Sequence, residues 1–338
     1  MGLLRMAVVA SLSLMSATSL RAQAPAEFYR DKAIDLYIWT SVGGAYDTYS
    51  RLVARHIGKY IPGNPRIVPR NFEGAAGIKL SNFLYSAAPK DGTAIGVISR
   101  GNAFDPLVGI QAAQFDGTRF NWIGSANNEV SVCVAWHSSG VTRFEDVLER
   151  ELIVGATGPT ADSYQYPKIV NAVLGSKFRI ISGYSGGTEV DLAMERGEVQ
   201  GRCSWSWTSL KGLKRKWLDE RRIIILYQMG LIKHVDLPDV RLILDMARSA
   251  EDKAMLRFIF ARQVMAWPFI APPGVPNERV ETLRRAFMET MRDKAFLADA
   301  ENAGLEITPV PGEEVQKLVA EIYATPAAIA RRVADMIK

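Results

Sequence analysis

The chain is poor in the residues that hold metals or act as nucleophiles: two cysteines and three histidines in 338 residues. His56, His137 and His234 stand apart, without the close spacing that metal ligation needs, so neither a metal nor a cofactor is expected. Cys133 and Cys203 lie on apolar, strand-like segments and are expected as buried free thiols, although in an oxidising compartment they would pair if the fold brought them together. There is no Gly-x-Ser-x-Gly elbow, no His-Glu-x-x-His pair and no phosphate loop. An enzyme would therefore have to rest on Asp47 and Asp162 as acid and base. Internal repeats and low-complexity tracts are also missing. Positive charge is not clustered: the run Lys214-Arg215-Lys216 is followed by Asp219 and Glu220, the pattern of a solvated helix face and not of a nucleic-acid surface. Beyond the first segment, no apolar run is long enough to cross a bilayer.

What is present begins with Arg5, the apolar run Met6 to Met15, and small residues around Ala22-Gln23-Ala24-Pro25-Ala26. This predicts a secretory signal peptide over residues 1–26, cleaved within 22–26. Ser11, Ser13, Ser16, Thr18 and Ser19 dilute the run too far for a membrane anchor, and no cysteine stands at the cleavage region to carry a lipid. A soluble periplasmic protein is expected. Loss of Arg5 and Arg21 would take the formal charge from +5 to +3, a mild excess compatible with an anionic ligand but no argument for one.

At 48% hydrophobic and 23% charged, the chain has ample material for a core, and its length exceeds that of one usual domain. Strand and helix patterns alternate at short spacing: Ile34 to Trp39, Tyr46 to Lys59, Arg66 to Pro69, Ala76 to Ala87, Ala94 to Ser99. From Val130 the alternation starts afresh and runs to Tyr227. Such alternation predicts open parallel sheets with helices on their faces and ligand-facing turns on one edge. After Pro272-Pro273-Gly274 the chain turns almost wholly helical, and Met265 to Ile270 offers a strand back into the first sheet. Two α/β lobes joined by crossings near Gly124 to Glu129 and Arg262 to Met265 would enclose a cleft.

Four loops are predicted to face that cleft. In Val42-Gly43-Gly44-Ala45-Tyr46-Asp47 a strand ends at paired glycines and a helix begins, leaving backbone N–H groups without intrahelical partners at the positive end of a helix dipole. That geometry suits anions. Asn71-Phe72-Glu73-Gly74-Ala75-Ala76-Gly77 is a weaker copy. The third loop, Gly155 to Ser163, adds the hydroxyls of Thr157, Thr160 and Ser163, although Thr160, Asp162 or Ser163 could instead cap the helix that follows. The fourth, Ser182 to Glu189, carries Tyr184, Gly186 and Gly187, with Trp205 and Trp207 shortly after; Trp207 is expected in the core, while Trp205 could equally line a pocket.

In this order the loops resemble the Bug-type receptors of the tripartite tricarboxylate transporter family. The family's Pro-Gly-Gly-x-x-Asp turn appears as Val42-Gly43-Gly44-Ala45-Tyr46-Asp47 without its proline, and its Asn-x-Pro-Gly-Ala-x-Gly segment as Asn71 to Gly77 with Glu73 in place of proline. Pro89-Lys90-Asp91-Gly92-Thr93 and Tyr184-Ser185-Gly186 match further motifs, whereas Pro159 to Ser163 departs from the usual third loop and leaves the ligand open. The resemblance implies a two-lobed type II periplasmic-binding-protein fold. Lobe 1 is expected from 27–128 plus 265–338, carrying the helical C-terminal part, and lobe 2 from 129–264. It also implies a monomer without cofactor that closes on a small organic carboxylate and presents it to transporter membrane subunits. A ligand-sensing subunit for a signalling kinase is the alternative, and a secreted enzyme using Asp47 and Asp162 a more distant one. The expected ligand contacts are Val42, Gly43, Gly44, Tyr46, Asp47, Ser99 and Arg100 in lobe 1, and Thr157, Thr160, Asp162, Ser163, Tyr184, Gly186, Gly187 and Trp205 in lobe 2.

Overall fold

The structure is a computed structural model that describes residues 28–40, 42–159, 161–184 and 186–337. The expected signal peptide and Thr160 lie outside the described residues.

Strand β1 (Ala33–Ile38) turns Ile34, Leu36 and Ile38 inward by its two-residue period. Helix α1 (Ala45–Ile57) buries Tyr49, Leu52, Val53 and Ile57, one stripe at helical spacing, against that sheet. The chain continues through β2 (Arg66–Asn71), α2 (Ile78–Ser86), β3 (Ala94–Val97) and β4 (Asn121–Ser125). It then crosses to β5 (Ser131–Trp136), α3 (Asp146–Glu149), β6 (Leu152–Ala156), α4 (Asp162–Leu174), β7 (Phe178–Ser182) and α5 (Gly187–Glu195). Next come β8 (Gly201–Ser206), α6 (Trp207–Leu213), α7 (Arg215–Asp219), β9 (Ile223–Met229) and α8 (Ala250–Phe260). Strand β10 (Pro268–Ala271) returns, followed by α9 (Asn277–Arg292), α10 (Lys294–Asn302), β11 (Val310–Pro311), α11 (Gly312–Tyr323) and α12 (Ala327–Ile337).

These strands form a six-stranded sheet of order β11-β4-β10-β3-β1-β2 and a five-stranded sheet of order β7-β6-β8-β5-β9. Strand β2 sits at an edge, where Pro69 removes no ladder bond that a second neighbour would need. The parallel arrangement predicted for both sheets holds only in part. Strand β1 runs parallel to β2 and β3, and β6 parallel to β7 and β8, but β10 is antiparallel to β3 and β4, and β5 antiparallel to β8 and β9. Two of the reversed strands lie next to the crossings: β10 re-enters the first sheet from the second, and β5 leaves the first for the second; the short β11, antiparallel to β4, is a third.

Cys133 and Cys203 form a disulfide, against the expectation of free thiols. They stand on neighbouring antiparallel strands, where the β5–β8 register shifts between Val132 and Val134, so topology places together two residues separated by 70 positions. The helices after β10 cover the first sheet through α9, α10 and α11, but α12 lies across α4 and α8 of the second. Its buried Val333, Ala334 and Ile337 join Tyr166, Ile169, Met255 and Ile259 in one apolar cluster, and Arg332 pairs with Glu251. The chain thus passes between the two halves a third time. Helix α8, to which α12 docks, is a further element that the alternation did not predict.

Candidate functional site

The first loop is organised around a carboxylate. Gly43 takes φ +89°, a left-handed backbone that glycine alone adopts without strain. Gly44, at the N-cap of α1, has an ordinary extended backbone at φ −75° and ψ 167°, with no side-chain cap. Asp47 accepts from the Gly43 N–H at 3.0 Å, from Arg51 Nε at 2.9 Å and from Asn71 Nδ2 at 2.9 Å. Burial works to raise its pKa, but these bonds outweigh it and hold the carboxyl below the usual range. Asp47 was expected to face the ligand; its oxygens instead tie the loop to α1 and to Asn71, and Gly43 N–H is one of the donors so engaged. Val42 is exposed, while Tyr46 is half-buried in an aromatic row of Trp39, Tyr46, Trp267 and Tyr49, with centroid separations of 5.1, 4.5 and 4.6 Å. The indole N–H groups of Trp39 and Trp267 in this row are buried without a hydrogen-bond partner.

The third loop likewise closes on itself. Thr157 N–H donates to Ser163 Oγ at 3.1 Å, and the two hydroxyls lie 3.3 Å apart. Ala161 is the N-cap of α4, with no side-chain cap, and Asp162 is the first helical residue. Its carboxylate does not cap the helix but reaches the other half of the molecule.

There it meets Arg100, from the segment after β3. Arg100 Nε and Nη2 donate to Asp162 Oδ2 at 3.0 and 2.5 Å. Arg100 Nη1 donates to Gln263 Oε1 at 2.9 Å, and Gln263 Nε2 in turn donates to Ser131 Oγ at 3.0 Å and the Tyr166 hydroxyl at 3.2 Å. The Arg100 backbone N–H donates to the Tyr46 hydroxyl at 3.1 Å, joining this network to the start of α1. From the returning crossing, Arg262 Nη1 donates to Asp162 Oδ1 at 3.1 Å and to Gln165 Oε1 at 3.4 Å. One carboxylate is therefore clamped by two guanidinium groups. Burial pushes the Asp162 pKa up, yet Arg100 and Arg262 prevail and hold it below the ordinary carboxylate range. Two further carboxyls nearby behave in the opposite way. Burial raises Glu129 although Ser206 donates to it, and burial raises Asp105 although Asn102 donates to it.

The fourth loop stands off from this bridge. Tyr184 is half-buried, Gly186 is the N-cap of α5, and Gly187 packs against the Arg202 guanidinium. Among the described residues, no hydrogen bond or ion pair joins these three to the first half. Trp205, predicted as possible pocket lining, is 3% exposed and belongs to the core with Trp217 and Trp136, because its position on β8 points it to the α5–α6 side of the sheet; Arg202 stacks on its ring. That removes it from the cleft lining. Ser99 is half-buried beside Gly77 and Asn102, where the second loop meets the first half of the site.

Arg262 and Gln263 are absent from the expected contacts. Their signal was two polar residues inside the apolar run Phe258 to Met265, which marks a polar pair facing something other than core. Their distance in sequence from both Arg100 and Asp162 hid the partners. Among the described residues, no group of histidine, cysteine, aspartate and glutamate could hold a metal, and no helix is long and apolar enough to cross a membrane.

No protein-family model and no curated protein sequence matches the chain. Solved structures do. A TctC solute binding protein from Polaromonas superposes with a TM-score of 0.69 at 15% identity over 91% of this chain and 99% of that one. The periplasmic binding protein BugD gives 0.64 at 17%, over 90% and 98%. An R. palustris protein solved with adipate gives 0.65 at 17%, over 91% and 97%. At such identities the likeness is one of fold, that of a two-lobed α/β binding protein spanning nearly the whole chain.

Proposed function

We propose that this chain is an extracytoplasmic solute-binding receptor of the tripartite tricarboxylate, Bug-like type. In this reading it is exported through residues 1–26, acts as a periplasmic monomer, closes around a small organic carboxylate and delivers it to transporter membrane subunits. The observation that carries the reading is the Arg100–Asp162 bridge, at 2.5 Å, which spans the two halves of the molecule between the starts of α1 and α4. Helix starts on opposite walls, with guanidinium groups between them, suit an anionic head group. The proposed lobes are 27–128 plus 265–338 and 129–264, with the last helix of the first lobe, α12, docked on α4 and α8 of the second. Adipate in one structural relative supports a carboxylate as the ligand class.

The geometry gives little support to catalysis. Asp47 is bound to Arg51 and Asn71, and Asp162 to Arg100 and Arg262, so both are held deprotonated and neither is poised to deliver a proton. A thermal-shift screen of the purified protein against organic acids tests the reading. A raised melting temperature with at least one acid, unchanged in mass after incubation, is expected; no shift with any carboxylate would remove it.

A further inference from the structure

At the hinge, where the chain returns from the second half to the first, two guanidinium groups share one ion-pair partner, Asp162. Arg100 commits Nε and Nη2 to it and Nη1 to Gln263. Arg262 commits less. Both of its hydrogen bonds among the described residues leave from Nη1, to Asp162 at 3.1 Å and to Gln165 at 3.4 Å, and its Nε is buried with no partner. The Nε–Nη2 edge, the one with which Arg100 grips Asp162, is thus unused on Arg262. Asp105 and Glu129 lie in the field of these cations but accept from Asn102 and Ser206, and among the described residues neither forms an ion pair with Arg100 or Arg262. The cluster therefore carries more positive charge than its one paired carboxylate cancels. A charged donor sealed from water without an acceptor is destabilising, and a bound anion would offset that here. The group is also held in place: Arg262 is 5% exposed, its guanidinium carbon lies 5.9 Å from the Tyr166 ring centroid, and a Cβ at Gly101 would crowd Nη1 at 3.3 Å. The side chains of Asp162 and Arg100, 20% and 16% exposed, border the open cleft, so Arg262 lies deeper than their bridge.

We infer that the Nε–Nη2 edge of Arg262 is the carboxylate-recognition site of the cleft, a ligand carboxylate seating at the hinge with Arg262 as its bidentate donor. The inference rests on the carboxylate-receptor reading and deepens it by naming the residue that reads the charge. A carboxylate presents two oxygens in the plane and at the spacing that such an edge matches. The amide of the same skeleton brings one acceptor and no charge. Because Nε is sealed while the bridge stands, the acid enters as the halves part and is enclosed when Arg100 and Asp162 meet again. Tying the crossing to α4 needs only the Nη1 bonds, so a structural role leaves the other edge unexplained.

The test is side-chain nitrogen NMR of the purified protein titrated with butanoate, succinate, adipate and benzoate, beside calorimetry with the same acids and their amides. The Nε–H resonance of Arg262, assigned through its own side chain, is expected to move downfield on saturation with an acid that binds, as a new charge-assisted hydrogen bond requires. That acid should bind at least about tenfold more tightly than its amide. Arg262→Lys, which keeps the charge but loses the fork, should shrink the acid-to-amide ratio by about tenfold, whereas a merely structural arginine would lower the melting temperature and leave the ratio alone. An acid that binds while the Arg262 Nε–H resonance stays in place would overturn the inference and leave the receptor reading standing. So would an unchanged ratio in a folded Arg262→Lys protein. Binding of no acid in the series would overturn both readings; the resonance is read in the natural protein, so the test needs no variant to fold.

Discussion

Asp47 accepts from Gly43, Arg51 and Asn71 in a site only 2% exposed, so its removal strands three donors at once. Asp47→Ala is expected to lower stability by about 1–3 kcal/mol, read from the urea midpoint at unchanged slope. The two glycines beside it separate backbone from ligand. Gly43→Val forces an L residue into a left-handed turn and should cost about 1–2 kcal/mol. Gly44→Val, in an extended backbone, should leave the melting temperature nearly unchanged while blocking approach to the α1 start. Calorimetric binding by the Gly44 variant as tight as natural would exclude that approach. Trp205 belongs to the core, so Trp205→Ala is expected to cost about 3–5 kcal/mol of stability, with no change in ligand preference among molecules that remain folded.

At the scale of elements, the disulfide and the last helix both constrain the second half. Cys133–Cys203 closes a loop of 70 residues between β5 and β8. Replacing both cysteines by alanine should lower stability by about 2–5 kcal/mol, measured by denaturation without reductant. Helix α12 packs on α4, whose first residue is Asp162, and on α8. Ending the chain before Ala327 should therefore speed amide exchange in the first turns of α4 while β1 and α1 keep their protection.

For the whole molecule, acid and base trends oppose one another. Asp105 and Glu129 have raised pKa values and bind protons more tightly folded than unfolded, so stability falls as pH rises through the window between their ordinary and raised values. Asp47 and Asp162 are held low; their contribution is complete above the ordinary carboxylate value of about 4 and is lost as pH falls through their folded values. The melting temperature should therefore pass through a maximum between the lowered values of Asp47 and Asp162 and the raised values of Asp105 and Glu129, read by scanning calorimetry across the acid and neutral range. A curve rising steadily to neutral pH would mean that the buried hinge carboxyls are charged throughout. The same balance keeps the Arg100–Asp162 bridge ionised at that maximum.

Local sequence determined the elements whose signals are local. The period-two pattern of Ile34 to Ile38, the stripe Tyr49, Leu52, Val53 and Ile57, and the Gly-Gly turn between them are fixed by neighbouring residues, and so is the position of α4 behind a loop of hydroxyls. The route back into the first sheet was readable from an apolar strand flanked by helices that needed one. Tertiary structure alone decided the rest, because it depends on which distant residues meet. Cys133 and Cys203 pair only through the β5–β8 register, α12 covers α4 only through a third crossing, and Asp162 is a bridge instead of a cap only because Arg100 and Arg262 arrive from elsewhere in the chain. Spacing in one dimension sets which way a side chain faces; the charge and donors waiting for it are set by the fold.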